Sequence, residues 1–206
     1  MGVNASDIKN DGVELFAEES HDSISLKTFG FWLYMLSDAL LFSAMFAAYE
    51  VLQHNYAGGP TIADVSQPFH ELAESLLIFT SVFAYMQGMR SLADRSMRMT
   101  TLWMCVAIFL GAAFIGIEIH DFYGQVARGI TPLRSGYLSI YFTLVGTHGL
   151  HIFIGLCWTA IMAIQVRTKG YTPAVVSRLL NLKIFWMFQA IVWVCVFIFV
   201  YMIGAV

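Results

Sequence analysis

Apolar residues in this chain come in long runs separated by short polar stretches. Five runs, Phe29–Leu52, Phe69–Leu92, Met99–Phe122, Tyr137–Val166 and Leu180–Ala205, reach the roughly 20 residues an α-helix needs to cross a hydrocarbon core. None shows the strict alternation of a barrel strand, so the pattern predicts helices that satisfy their own backbone polar groups. The expected architecture is an all-α, polytopic membrane bundle of five transmembrane helices. No internal repeat or low-complexity tract divides it. The loops "HNYAGGPTIADVSQPFH" and "YGQVARGITPLRSG" carry turn residues and are too short to form separate domains.

Composition agrees with the pattern. The 206 residues are 58% hydrophobic and 12% charged, about half the charge of a soluble domain. Residues 1–28 read as an acidic soluble tail, with Asp7, Asp11, Glu14, Glu18, Glu19 and Asp22 set against Lys9 and Lys27. The tail has no apolar core behind a basic segment, so no cleavable signal peptide is expected. With the N-terminus inside, nine Lys and Arg fall on cytoplasmic segments and two, Arg128 and Arg134, on outside loops. That bias predicts a cytoplasmic N-terminus and an outside C-terminus. Cys105, Cys157 and Cys195 all lie in spans without a CxxC pair, and read as apolar packing residues with no disulfide.

Small residues suggest where helices approach: Ala112 and Gly116 in the third run, and Gly146, Gly149 and Gly155 in the fourth. Trp32, Trp186 and Trp193 suit either packing or the membrane interface.

Four polar residues inside the runs carry the candidate chemistry: Asp38, Glu118, His148 and His151. Ionisable groups at such depths are expensive, so they face a bundle interior, a partner or a water path. Asp38 lies about ten residues into the first run, near mid-depth at about 1.5 Å per residue. It can join helices as a hydrogen-bonded acid, take part in proton movement, or hold a contact to another subunit. Glu118 sits near the outer end of the third run, where a structural hydrogen bond is expected. Glu50, Glu71 and Glu74 make the outer rim acidic, with lipid headgroups or Arg128 and Arg134 as counterparts. Glu74, Arg128 and Arg134 are the candidate lipid or rim contacts.

His148 and His151 share a helical face and could both reach one metal ion. A third ligand at that depth could only be Asp38, and no other histidine lies deep in a span to complete a bis-His haem. Hydrogen bonding between helices, with Asp38 among the partners, is therefore expected, and no metal, catalytic or cofactor-binding residue is assigned. No P-loop, activated nucleophile or basic nucleic-acid patch is present.

The segments "GFWLYMLSDALLFS", "AFIGIEIHDF", "RSGYLSIYFTLVGTHGLHIFIG" and "IFWMFQAIVWVCVFIFVYMIG" together resemble subunit III of the haem–copper terminal oxidases. The five-run layout and "TPLRSGYLSIYFTLVGTHGLH" are most similar to the five-helix subunit III of bacterial bo-type ubiquinol oxidases. The resemblance implies an accessory subunit of the bacterial inner membrane, without haem or copper of its own. It would pack against the catalytic subunit I and other oxidase subunits, hold phospholipid between its helices, and help sustain proton uptake. Haems, copper and the oxidoreductase chemistry would belong to the catalytic subunit. The resemblance also marks Asp38, Glu118, His148 and His151 as family positions, the first a carboxylate in the first shared helix. The last helix departs from the family pattern, with Met187 where a His is usual and Ala190 where an acid is usual. A reading of another class is a small proton-coupled transporter with Asp38 and His148 as a relay, although no inverted repeat supports it. A stand-alone b-type cytochrome is disfavoured by where the histidines lie.

Overall fold

The computed structural model describes residues 5–203, and among them it contains helices and no strand. The elements are α1 (Ala5–Leu52), the short α2 (Ile62–Val65), α3 (Pro68–Ala93), α4 (Met97–Ala127), α5 (Gly136–Lys169) and α6 (Pro173–Val196). The last continues as π-helical turns over Phe197–Ile203. Five stretches are long and apolar enough to span a membrane: Thr28–Leu52, Pro68–Ala93, Met97–Ala127, Gly136–Lys169 and Pro173–Met202. The predicted spans are therefore all present.

Two boundaries differ from expectation. The fourth helix in chain order, α4, continues past Phe122 to Ala127. The last helix begins at Pro173 instead of Leu180, because polar Ser177 and Arg178 hide its first turns from a hydropathy reading. Its start is specified locally: Thr172 accepts the Val175 N–H, and Pro173 occupies a position whose own N–H would go unpaired. Just before it, Gly170 adopts φ +66° and ends α5. The expected end of the last span at Ala205, the first four residues of the tail, and the side chains of the tail's acids lie outside the described residues. From Ala5 the backbone of the tail is helical and runs on into the first span.

The helices pack around α5 and α6. On one side α3 and α4 form an antiparallel pair, with α4 also against α5 and α3 against α6; on the other side α1 packs on α5 and α6. Trp186 and Trp193 are fully buried, and each satisfies its indole N–H. Trp186 donates to Thr159 Oγ1 at 3.0 Å and Trp193 to Ser75 Oγ at 3.0 Å. Trp32 points outward, as do Phe29, Leu40, Phe69 and Phe109. In a membrane bundle such faces meet lipid or a partner subunit.

Close approach depends on glycine at two of the expected positions. A Cβ on Gly155 would stand 2.6 Å from the Phe185 ring, and one on Gly149 would stand 2.6 Å from the Glu118 carboxylate. Gly116, by contrast, faces open space. The free cysteines also depart from expectation, since Cys105 and Cys157 lie exposed on the outside of the bundle. They pack against no core of this chain.

Candidate functional site

Asp38 is buried on α1 and meets α5. His151 Nε2 lies 3.2 Å from Asp38 Oδ2, and both side chains are almost enclosed. The other ring nitrogen, Nδ1, donates to the Thr147 carbonyl one turn earlier at 2.8 Å. That bond assigns the Nδ1–H tautomer to a neutral ring. Nε2 and the carboxylate oxygen would then oppose lone pair to lone pair. The approach lacks hydrogen-bond alignment. Phe42 covers the pair, its ring centroid 5.3 Å from that of His151.

His148 turns elsewhere. It is completely buried, and Nε2 donates to the Gln189 carbonyl on α6 at 3.2 Å. Its ring lies between Phe114 and Trp193, with centroids at 5.8 and 5.3 Å. Nδ1 has no hydrogen-bond partner among the described residues. Although His148 and His151 are three residues apart, one ties α5 to α6 and the other ties α5 to α1. The shared helical face does not become a shared site. In the divergent stretch of α6, Met187 is exposed on the outside while Gln189 is buried.

Glu118 makes no hydrogen bond to the described residues. Both carboxylate oxygens are buried and without a partner among the described residues, pressed against the Gly149 backbone. Because α4 extends to Ala127, nine residues further, Glu118 lies about 14 Å from the helix end, deeper than expected. Glu71, Glu74, Glu118 and Asp121 line one small polar cavity with Gln125, Tyr141 and Tyr201. The cavity holds about 10 Å³, room for one water molecule. Glu71 is satisfied locally, accepting from Ser66 Oγ at 2.6 Å and from the Gln67 N–H at 2.9 Å at the start of α3.

Arg128 and Arg134 do not answer this cluster. Arg128 Nε donates to the Gly124 carbonyl at 3.2 Å, and Arg134 Nη1 approaches the Gly129 carbonyl at 3.5 Å. Arg128 thus binds the last turn of α4 and Arg134 the loop behind it, so neither pairs with the rim acids among the described residues. Asp64, outside the spans, is held below the ordinary carboxylate range by hydrogen bonds from the Thr61 backbone and hydroxyl.

One constellation escaped the sequence reading. His70, in the first turns of α3, places Nδ1 2.8 and 3.0 Å from the two carboxylate oxygens of Asp121 on α4. His120 Nδ1 approaches the same Asp121 Oδ1 at 3.3 Å. A signal was available. Helices joined by a short turn at one end are antiparallel, so the start of "PFHELAE" and the end of "EIHDF" must meet at the other.

These features define a polytopic α-helical membrane protein with a polar pair at mid-depth and an acidic cluster toward one end. Residues 7–205 match the family described as cytochrome c oxidase subunit III, and the chain belongs to that family. It is 42% identical over 188 residues to the cytochrome bo(3) ubiquinol oxidase subunit 3 of Pseudomonas aeruginosa, across 91% of this chain and 90% of that protein. It is 36% identical over 182 residues to the protein of the same name from Buchnera aphidicola, across 88% and 94%. The quinol oxidase subunit 3 of Bacillus subtilis is 31% identical over 179 residues, across 87% and 88%.

Proposed function

We propose that this chain is the accessory, cofactor-free subunit III of a respiratory quinol oxidase in a bacterial inner membrane. It packs against a catalytic haem–copper subunit I, supports assembly and phospholipid binding, and helps sustain that subunit's proton uptake. The observation that carries the reading is the likeness to quinol oxidase subunits 3 over about nine-tenths of the chain. The N-terminus is cytoplasmic on this reading, as the distribution of basic residues favours.

Within this role Asp38 and His151 are the proton-active pair. An acid and a base that can each carry a proton stand 3.2 Å apart in an almost enclosed place, which is what a proton-exchanging pair needs. The relay of Asp38 and His148 that a transporter would need has no such support. Asp38 faces His151, and His148 faces a backbone carbonyl.

The test is a mild-detergent pull-down of the tagged full chain with an optical spectrum of the eluate. A co-purifying haem polypeptide and quinol oxidation support the reading; a chain that elutes alone and colourless refutes it. Asp38→Ala then separates the roles. Assembly is expected to persist while proton uptake or turnover lifetime falls. A variant complex equal to wild type in pumping and lifetime would leave Asp38 a helix-joining residue only.

A further inference from the structure

The end of the bundle that carries α2 gathers a donor set unlike anything at mid-depth. His70, His120 and Asp121 each present a ligand atom, and these atoms lie within 4.8 Å of one another. They come from two helices, α3 and α4, that pack closely along their length. Two imidazole nitrogens and one carboxylate oxygen form a donor set that zinc accepts in three-ligand sites, with water in the fourth position. Tetrahedral coordination at the usual zinc bond lengths places donor atoms about 3.3 Å apart. Here Asp121 Oδ1 is already 2.8 Å from His70 Nδ1 and 3.3 Å from His120 Nδ1. Small side-chain rotations suffice to close the donors on an ion. His120 is open to solvent and His70 partly so, which leaves an entry path, whereas Asp121 is largely enclosed.

A second observation points the same way. Asp121 is also a wall of the small cavity lined by Glu71, Glu74 and Glu118, and that lining contains no lysine or arginine. Both oxygens of Glu118 are buried there without a partner. Arg128 and Arg134, the nearby loop cations, are turned onto backbone carbonyls. Four carboxyl groups thus stand around one cavity, and Asp121 joins that cavity to the two histidines.

We propose that His70, His120 and Asp121 bind a divalent transition-metal ion, zinc by the chemistry of the donors, at the α2 end of the bundle. The ion would replace the direct His70–Asp121 contact, link α3 to α4, and screen the acids behind Asp121. The inference goes beyond the accessory-subunit reading and does not depend on it.

The experiment uses the full chain in mild detergent, both alone and with whatever partners it retains, after treatment with a chelator. Zinc is titrated in competition with a chromophoric chelator, and cobalt is added in parallel for its tetrahedral d–d absorption. Wild type is expected to bind one zinc ion per chain that His70→Ala and His120→Ala each weaken by at least roughly tenfold. The cobalt band is expected in wild type and absent from both variants. Since His120 is exposed, its replacement should leave the bundle folded, and an unchanged thermal midpoint in zinc-free buffer checks this. Equal affinity in all three proteins overturns the site, as does a loss in only one variant or no binding by wild type at micromolar zinc. Because binding is read on the chain itself, failure of the oxidase assignment would not alter the result.

Discussion

The bundle treats buried polarity in two opposite ways. At mid-depth, two polar side chains each meet a group on another helix: Asp38 faces His151, and His148 donates to the Gln189 carbonyl. Toward the α2 end, four acids share a cavity, and Glu118 has no partner within the described chain. A paired charge in a low-dielectric interior is self-contained, while an unpaired one requires a proton or an outside cation. The middle of the molecule is therefore closed electrostatically and the α2 end is open. Trp193 joins the two regions, stacking near His148 while its indole N–H reaches Ser75 on α3.

That contrast can be broken at several points. Trp193→Ala should have the largest effect, since it empties a fully buried site and unties both regions. A loss of about 3–5 kcal/mol is expected, read as a large drop in thermal midpoint and membrane yield. Gly149→Ala comes next, forcing a methyl group toward the Glu118 carboxylate, and should lose about 1–3 kcal/mol. Combining it with Glu118→Ala should recover most of that loss; a merely additive double variant would mean Gly149 is needed for another reason.

Asp38→Asn should lose about 1–2 kcal/mol, because it replaces the carboxyl group facing His151 with an amide. A companion His151→Ala should lose a similar amount, and the double variant less than the sum, if the two form one unit. Glu118→Gln should have the smallest effect, within about 0.5 kcal/mol of wild type, because no partner is lost. If its effect on the thermal midpoint matched that of Asp38→Asn, the distinction between closed and open regions would fall.

Span number and type were legible because they depend on length and hydropathy, which are local properties. Asp38 and His151 could be anticipated as partners, since a buried acid and a buried base at similar depth have few alternatives. The isolation of Glu118 could not be read, because it depends on how α4 and α5 rotate about Gly149. The N-terminal turns of α6 were missed because capping by Thr172 and Pro173 outweighs the polarity of Ser177 and Arg178. The pairing of His70 with Asp121 required knowing which helix ends coincide. Five apolar runs and the short turn after Ala93 already contained that information.

The position of α1 has a consequence for biosynthesis. Its partners are α5 and α6, which emerge from the ribosome well after it. Asp38 therefore enters the bilayer more than a hundred residues ahead of His151, a delay on the order of ten seconds at ordinary elongation rates. During that interval its carboxyl group lacks the imidazole that will later face it. Of the helices described, α1 is inserted early and completed late: its packing waits on segments made long after it.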